Sequence, residues 1–152
     1  MKKSLFLLIL LLPACKKDPA SPFVTADSFI FGTSYGECGG DCSRLFKLEN
    51  GNLYPDDNVT YLTQADDPIP FQSQSLPSDK VALAKTLLAG VPAGLYDETQ
   101  EIIGCPDCRD QGTIFIEIRT GDQTRKWYVD PDSDKYGAFC DSVRSTVQKM
   151  PL

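Results

Sequence analysis

The sequence predicts an α+β domain: an antiparallel sheet of about four to six strands, built from two hairpins, with two helices on one face. Short runs alternate apolar and polar residues, and turn signals typical of hairpins join them in pairs. Two other stretches carry apolar residues at helical spacing. The order along the chain is strands, helix, strands, helix, which favours helices packed on an antiparallel sheet.

The first half of the chain predicts the first hairpin. Ser28–Thr33 is a short apolar run, and Ser43–Glu49 alternates between apolar and charged side chains. Asn50-Gly51 then precedes Leu53-Tyr54, and Asn-Gly is a strong hairpin signal because both turn residues need a positive φ. A further short strand is predicted at Val59–Leu62, followed by a proline-bearing loop over residues 66–77.

Two helices are predicted from apolar residues at helical spacing. The first runs from Ser78 to Ala89, with Ser78 as its N-cap. The second follows Ser133 or Asp134, either of which can act as N-cap. The inward-facing residues of this last helix are predicted to be Phe139, Val143, Val147 and Met150.

A second hairpin is predicted between the two helices. Thr113–Arg119 alternates strongly, residues 120–123 make a turn, and Arg125–Val129 returns as the second strand. Phe115, Trp127 and Tyr128 lie on these strands and point to different faces, so at least one of them is expected to be exposed. The apolar face of the first strand consists of Ile114, Ile116 and Ile118.

The first 27 residues predict export and lipid attachment. Lys2 and Lys3 precede the apolar run Leu5–Leu12, which has the layout of a secretory signal peptide and is too short to span a bilayer. The letters LPAC at positions 12–15 resemble the lipobox of bacterial lipoproteins, which implies cleavage before Cys15 and acylation of its thiol. We therefore predict a signal peptide at 1–14, a lipidated cysteine and tether at 15–27, and one domain at 28–152.

Two resemblances carry further expectations. The lipobox is similar to that of small lipoproteins of Gram-negative bacteria, which implies a diacylglycerol and an acyl chain such as palmitate. By that family's sorting logic, Lys16 after the modified cysteine implies the outer membrane. In element order, including an Asp/Gly turn over residues 110–112, the domain resembles emfourin-type protease inhibitors. That resemblance implies an inhibitory role, and no functional residue is carried over from it.

Composition excludes several classes of function. The 152-residue chain is 41% hydrophobic and 24% charged, which is ordinary for one folded domain. It contains no histidine, which excludes Ser-His-Asp and Cys-His catalysis and histidine-ligated zinc or haem. Removing Lys2 and Lys3 leaves 13 basic against 21 acidic residues, a net charge of −8. We expect no nucleic-acid partner and no cofactor.

The cysteines predict a disulfide framework. Five cysteines remain beyond Cys15, and an exported chain meets oxidising surroundings in which paired cysteines usually become disulfides. Four lie in two loops rich in Gly, Pro and Asp, where we expect two disulfides of open connectivity. Cys140 lies beside the inward stripe of the last helix and is expected to remain a buried free thiol. The four loop cysteines are Cys38, Cys42, Cys105 and Cys108.

Three more specific interpretations, a zinc knot, a redox dithiol and a calcium loop, have weaker support than the disulfide framework. The four loop cysteines have spacings that a zinc knot permits, although export favours disulfides. Cys105-Pro106-Asp107-Cys108 is a C-x-x-C motif, but no helix is predicted after it to stabilise a thiolate. The acidic run at 130–134 begins like an EF-hand loop but has Lys135 at the glycine position, which favours a turn and an acidic helix cap.

The sequence therefore predicts a membrane-anchored lipoprotein with a non-enzymatic binding or inhibitory module. The acidic charge, the missing histidine and the lack of converging catalytic residues favour this function, with the membrane and an unidentified protein as partners. We predict no catalytic, cofactor or metal residues. The alternative is a thiol-disulfide oxidoreductase that uses Cys105 and Cys108.

Overall fold

The computed structural model describes residues 25–36, 38–40, 42–57 and 68–151. These residues form six strands and three helices, so the predicted α+β class is confirmed. The strand predicted at Val59–Leu62, the leader and Cys15 lie outside the described residues. The elements are β1 (Ser28–Ser34), β2 (Ser43–Glu49), β3 (Asn52–Pro55), α1 (Ser78–Ala89), α2 (Ala93–Tyr96), β4 (Ile102–Ile103), β5 (Thr113–Thr120), β6 (Gln123–Val129) and α3 (Gly137–Gln148).

The six strands form one mixed sheet in the order β3-β2-β1-β5-β6-β4. The first four pairings are antiparallel, as predicted, but β4 runs parallel to β6. The Tyr128 N–H donates to the Glu101 carbonyl at 2.7 Å, and the Asp130 N–H donates to the Ile103 carbonyl at 2.8 Å. The expectation of a wholly antiparallel sheet was therefore wrong, because a two-residue strand has no pattern to detect.

Both predicted hairpins are present. Asn50 and Gly51 have φ values of 50° and 77°, the left-handed pair that a two-residue Asn-Gly turn requires. β2 and β3 pair beyond it, from Glu49 opposite Asn52. In the second hairpin, Gly121 has a φ of 58° at the first turn position. These turns fix which side chains of the strands share a face.

The main core lies on the face of the sheet that carries the alternating apolar residues. Register places Phe31 opposite Phe46 on one side and opposite Ile116 on the other. Residues of the helices join the same cluster, and so do the four inward residues predicted for the last helix, of which Met150 lies just beyond the end of α3. The covering of one face by both helices stays a prediction. The helical members of the cluster are Ala84, Leu87, Leu88, Leu95, Phe139, Cys140, Val143 and Val147.

The opposite face of the sheet carries a second, smaller cluster. Its buried members are Ile30, Leu45, Phe115 and Tyr128, and Ile69 and Phe71 pack against them. Trp127 is 1% exposed in the main core and Tyr128 is 6% exposed here. Phe115 is also buried, so the expectation that at least one of Phe115, Trp127 and Tyr128 is exposed was wrong. The reason is that a segment distant in sequence, with Ile69 and Phe71, packs against the second face.

The predicted helix caps were wrong. α1 begins at Ser78 itself and has Pro77 at the N-cap, whose carbonyl accepts the N–H groups of Lys80 and Val81. α3 begins at Gly137, later than predicted, with Tyr136 as N-cap and no side-chain cap. Ser133 instead belongs to the turn before α3, since its N–H donates to Asp130 and its carbonyl accepts from Gly137.

Candidate functional site

The two cysteine-bearing loops leave the same end of the sheet. The first loop joins β1 to β2, and its described residues are 35, 36, 38–40 and 42. The second loop, residues 104–112, joins β4 to β5. Ser34 is paired with Ser43 of β2 and with Thr113 of β5, so both loops begin or end beside it. The hydroxyls of Ser34 and Ser43 are 2.8 Å apart and close the base of this end.

Each loop contains one local disulfide. Cys38 pairs with Cys42 and Cys105 pairs with Cys108, and each pair has a Cα–Cα distance of 5.6 Å. That separation lies in the usual range for disulfides, which supports the predicted presence of disulfide bonds. The sequence left the disulfide connectivity open, and in the structure each disulfide forms within one loop. Cys140 is the free cysteine of the described chain and is buried.

Asp107 fastens the second loop to the first. Its Oδ2 accepts a hydrogen bond from the Gly36 N–H at 2.6 Å, across 71 positions of sequence. Its Oδ1 accepts from the Gly112 N–H at 3.0 Å, and its own N–H donates to the Gly112 carbonyl at 3.1 Å. Hydrogen bonds to an ionised carboxylate are the stronger kind. The carboxylate therefore holds the two disulfide loops side by side.

Tyr35 packs over the end of the second loop. A Cβ on Gly112 would lie 2.6 Å from a ring carbon of Tyr35, and Gly112 has a φ of 78°. Only glycine meets both demands at this position. Tyr35 remains 40% exposed and is one of three large apolar or aromatic residues exposed in the described part of the chain. The two loops thus present an aromatic ring on a backbone fixed by two disulfides.

Asp130, at the end of β6, accepts hydrogen bonds from residues of the second loop. Its Oδ2 accepts the Cys105 N–H at 3.1 Å, while its Oδ1 accepts the Asp132 N–H at 2.9 Å and the Gln111 side-chain amide at 3.2 Å. Burial alone would raise the pKa of Asp130, but these hydrogen bonds outweigh it and hold the pKa below its usual range. Arg144 of α3 donates to the Gln111 carbonyl at 2.9 Å, which ties the loop to the last helix.

The acidic run at 130–134, which resembles the start of an EF-hand loop, forms contacts that hold the second loop. Asp130 accepts backbone hydrogen bonds, and Asp132 forms an exposed ion pair with Arg109 at 3.7 Å. Over the described residues, no three His, Cys, Asp or Glu side chains gather as ligands for a metal ion. Asp130 and Asp132 thus have structural contacts in the turn at the end of β6, but the acidic helix cap that the sequence favoured is not formed, since α3 has no side-chain cap.

Cys140 lies in the main core behind this network. Its thiol is 3.9 Å from the Asp130 carbonyl, and burial raises its pKa to about 12. A thiol with that pKa stays protonated at neutral pH and is not a nucleophile. Cys140 therefore packs as a small apolar side chain, consistent with its predicted position beside the inward stripe.

The sequence identified the four loop cysteines but not the residues that connect them. In the sequence, Asp107 stands out only as part of the C-x-x-C motif, and no pattern marks Tyr35 or Gln111 as functional residues. Their partners lie far away in sequence, so no local pattern reveals them. The glycines at 36 and 112, one on each side of Asp107, were the available hint of close approach.

No protein-family model matches this chain, and no curated protein matches its sequence. In the part of the chain that the structure describes, no helix combines the length and the apolar character needed to span a membrane.

Proposed function

We propose that this protein is a bacterial lipoprotein, anchored at the outer membrane through lipid on Cys15, whose domain is a non-enzymatic binding or inhibitory module. Its contact surface is the pair of disulfide loops, and both long helices cover one face of the sheet. The partner is a protein of the envelope or its surroundings. Neither a cofactor nor a nucleic acid takes part.

The position of the loops relative to the tether carries this proposal. The tether enters at the other end of β1, where the Asp27 N–H donates to the Arg119 carbonyl at 2.8 Å. The Asp27 carboxylate also accepts the Gly121 N–H at 2.6 Å, which fixes the entry point to the second hairpin. The seven residues of β1 then span about 20 Å at the usual rise of a strand. An anchored domain would hold its loops away from the lipid.

The rigidity of the loops also supports a binding role. Ordering flexible loops on binding costs free energy, and groups that are already fixed avoid that cost. Here each loop is closed by a disulfide, and Asp107 joins the two. Tyr35 supplies an exposed aromatic side chain of the type enriched in protein interfaces.

The anchor is tested by Cys15→Ser. We expect this variant to leave the membrane fraction, because the thioether that carries the lipid cannot form and a leader of this length cannot span a bilayer. Membrane and soluble fractions are compared by quantitative immunoblot. A Ser variant that sediments with membranes as completely as the parent would contradict the anchor.

The contact surface is tested by photo-crosslinking in intact cells. A benzophenone side chain replaces Tyr35, and the matched control places it at Tyr96, which is 46% exposed on another part of the domain. We expect a discrete crosslinked species from position 35 and not from position 96. Equal crosslinking at both positions, or none at position 35, would refute the loops as the contact surface.

One observation favours a second candidate, a thiol-disulfide oxidoreductase. Cys105 and Cys108 are both exposed, as an exchanging disulfide must be. However, the described residues that follow them lead through Gly112 into β5, so no helix N-terminus stabilises a thiolate there. The reduction potential separates the candidates, because structural disulfides usually lie below about −300 mV and catalytic ones lie above it.

A further inference from the structure

The two disulfides differ in how open they are to solvent. Cys105 and Cys108 are both exposed, whereas Cys42 retains 1% of its surface and Cys38 is half-buried. In thiol–disulfide exchange a thiolate must reach a sulfur atom, and exposed disulfides are the labile ones. The Cys105–Cys108 disulfide is therefore the bond that an external dithiol reaches first.

The exposed disulfide closes a four-residue ring, and Asp107 lies inside that ring. Asp107 has a φ of 59°, in the left-handed region that residues other than glycine seldom adopt. From this conformation its two carboxylate oxygens reach Gly36 in the first loop and Gly112 in the second. The ring thus fixes the backbone of the side chain that bonds the two loops together.

We propose that the Cys105–Cys108 disulfide is a redox latch on the contact surface. While the disulfide is closed, Asp107 holds the first loop against the second. When it opens, the backbone at Asp107 relaxes into right-handed or extended conformations and its carboxylate leaves Gly36. This inference rests on the proposed function, because the surface that the latch controls is the proposed contact surface.

The reaction is exchange with a dithiol reductant. One reductant thiolate attacks a sulfur atom of the pair, and the other cysteine leaves as a thiolate that takes up a proton. The second thiol of the reductant resolves the mixed disulfide. The reductant loses two electrons and becomes a disulfide, while Cys105 and Cys108 gain two electrons and two protons. The Cys38–Cys42 disulfide stays closed in this step.

The first measurement follows the order of reduction in the purified full chain. Dithiothreitol serves as the dithiol probe, and the thiols that appear are alkylated and mapped by mass spectrometry. We expect Cys105 and Cys108 to be labelled at least about tenfold faster than Cys38 and Cys42, because exposure sets the access of the attacking thiolate. Equal rates, or faster labelling of the first loop, would overturn the latch.

The second measurement follows hydrogen exchange of the Gly36 amide by NMR. We expect exchange at least about tenfold faster once Cys105 and Cys108 are reduced, because a hydrogen bond to a carboxylate is lost. Asp107→Asn should exchange fast in both redox states. Asp110→Asn is the matched control, since Asp110 has a left-handed φ of 56° in the same loop, and it should behave like the parent.

A rate for Gly36 that does not change on reduction would overturn the latch. Amides of β1 that stay protected in the same spectra show that the reduced parent and Asp107→Asn remain folded, so the test does not depend on any cysteine variant. All measurements are made without a partner. The crosslinking test above fails or succeeds independently of them, so failure of the latch and failure of the proposed function are distinguishable.

Discussion

Replacing Asp130 by Asn should destabilise the domain by about 2–3 kcal/mol near neutral pH. Asp130 is 8% exposed as a residue, and its carboxylate accepts three hydrogen bonds, from the Cys105 and Asp132 amides and the Gln111 side chain. Asn offers one acceptor oxygen and turns an N–H₂ group toward at least one of these donors. Each hydrogen bond to a charged group contributes about 1.5–3 kcal/mol, and the loss of one bond and of the charge gives the expected value.

The difference between Asp130→Asn and the parent should depend on pH. Hydrogen bonds hold the folded pKa of Asp130 below the unfolded value of about 3.9. A lowered pKa contributes stability above the unfolded pKa, and that contribution is lost as the pH falls through the folded pKa. The advantage of the parent should therefore be full near neutral pH and shrink as the folded carboxyl group is protonated.

Urea denaturation followed by tryptophan fluorescence measures both effects, since Trp127 is buried in the core. Asp132→Asn is the matched control: its carboxylate forms an exposed ion pair with Arg109 at 3.7 Å, and its loss should cost less than about 1 kcal/mol. Equal unfolding midpoints for Asp130→Asn and the parent near neutral pH would refute the role of Asp130. So would a difference that stays the same in acid.

Three further predictions concern the core and the cysteines. In the unreduced chain the Cys140 thiol, with a pKa of about 12, should resist iodoacetamide at neutral pH and react once urea unfolds the domain; labelling at equal rates in both states would contradict its burial. Gly32→Ala should cost at least about 2 kcal/mol in urea denaturation, because its Cβ would press on the Arg44 carbonyl, whereas Gly39→Ala, with open space around it, should cost little; similar costs would contradict this packing. Elemental analysis of metal-replete protein should find no stoichiometric zinc, because the loop cysteines are consumed in disulfides, and about one zinc per chain would support the zinc knot instead.

Features that depend on neighbouring residues could be predicted from the sequence. The Asn50-Gly51 turn follows from the conformational freedom of those two residues, and the pairing of β2 with β3 follows from the turn. The alternation of Ile114, Ile116 and Ile118 gave the correct inner face of β5, since strand periodicity alone decides it. The inward residues predicted for α3 were correct because helical periodicity decides that face in the same way.

Two of the sequence-based predictions that were wrong concern the N-cap of α1 and the exposure of an aromatic residue on the second hairpin. Ser78 is a good cap by type, yet Pro77 occupies the cap position because its carbonyl already receives the first helical N–H groups. Tyr128 is buried because Ile69 and Phe71 lie against its cluster, more than fifty residues away in sequence. The burial of Tyr128 is therefore not encoded in the residues next to it.

The cysteines of the candidate site could be predicted from the sequence, but the contact between its two loops could not. Gly- and Asp-rich surroundings located the loop cysteines, and short spacing makes local pairing the easiest ring to close. The contact of Asp107 with Gly36 spans 71 positions and depends on β1 and β5 being neighbours in the sheet. That adjacency follows from the strand order, which the sequence patterns did not supply.

The central position of β1 also has a mechanical consequence. β1 is hydrogen-bonded along its whole length to β2 on one side and to β5 on the other, and the tether joins its first residue. If the chain is anchored through Cys15, a pull between the membrane and a partner on the loops acts along the axis of this strand. The load is then a shear shared by two ladders at once, rather than a peeling force that breaks one hydrogen bond at a time.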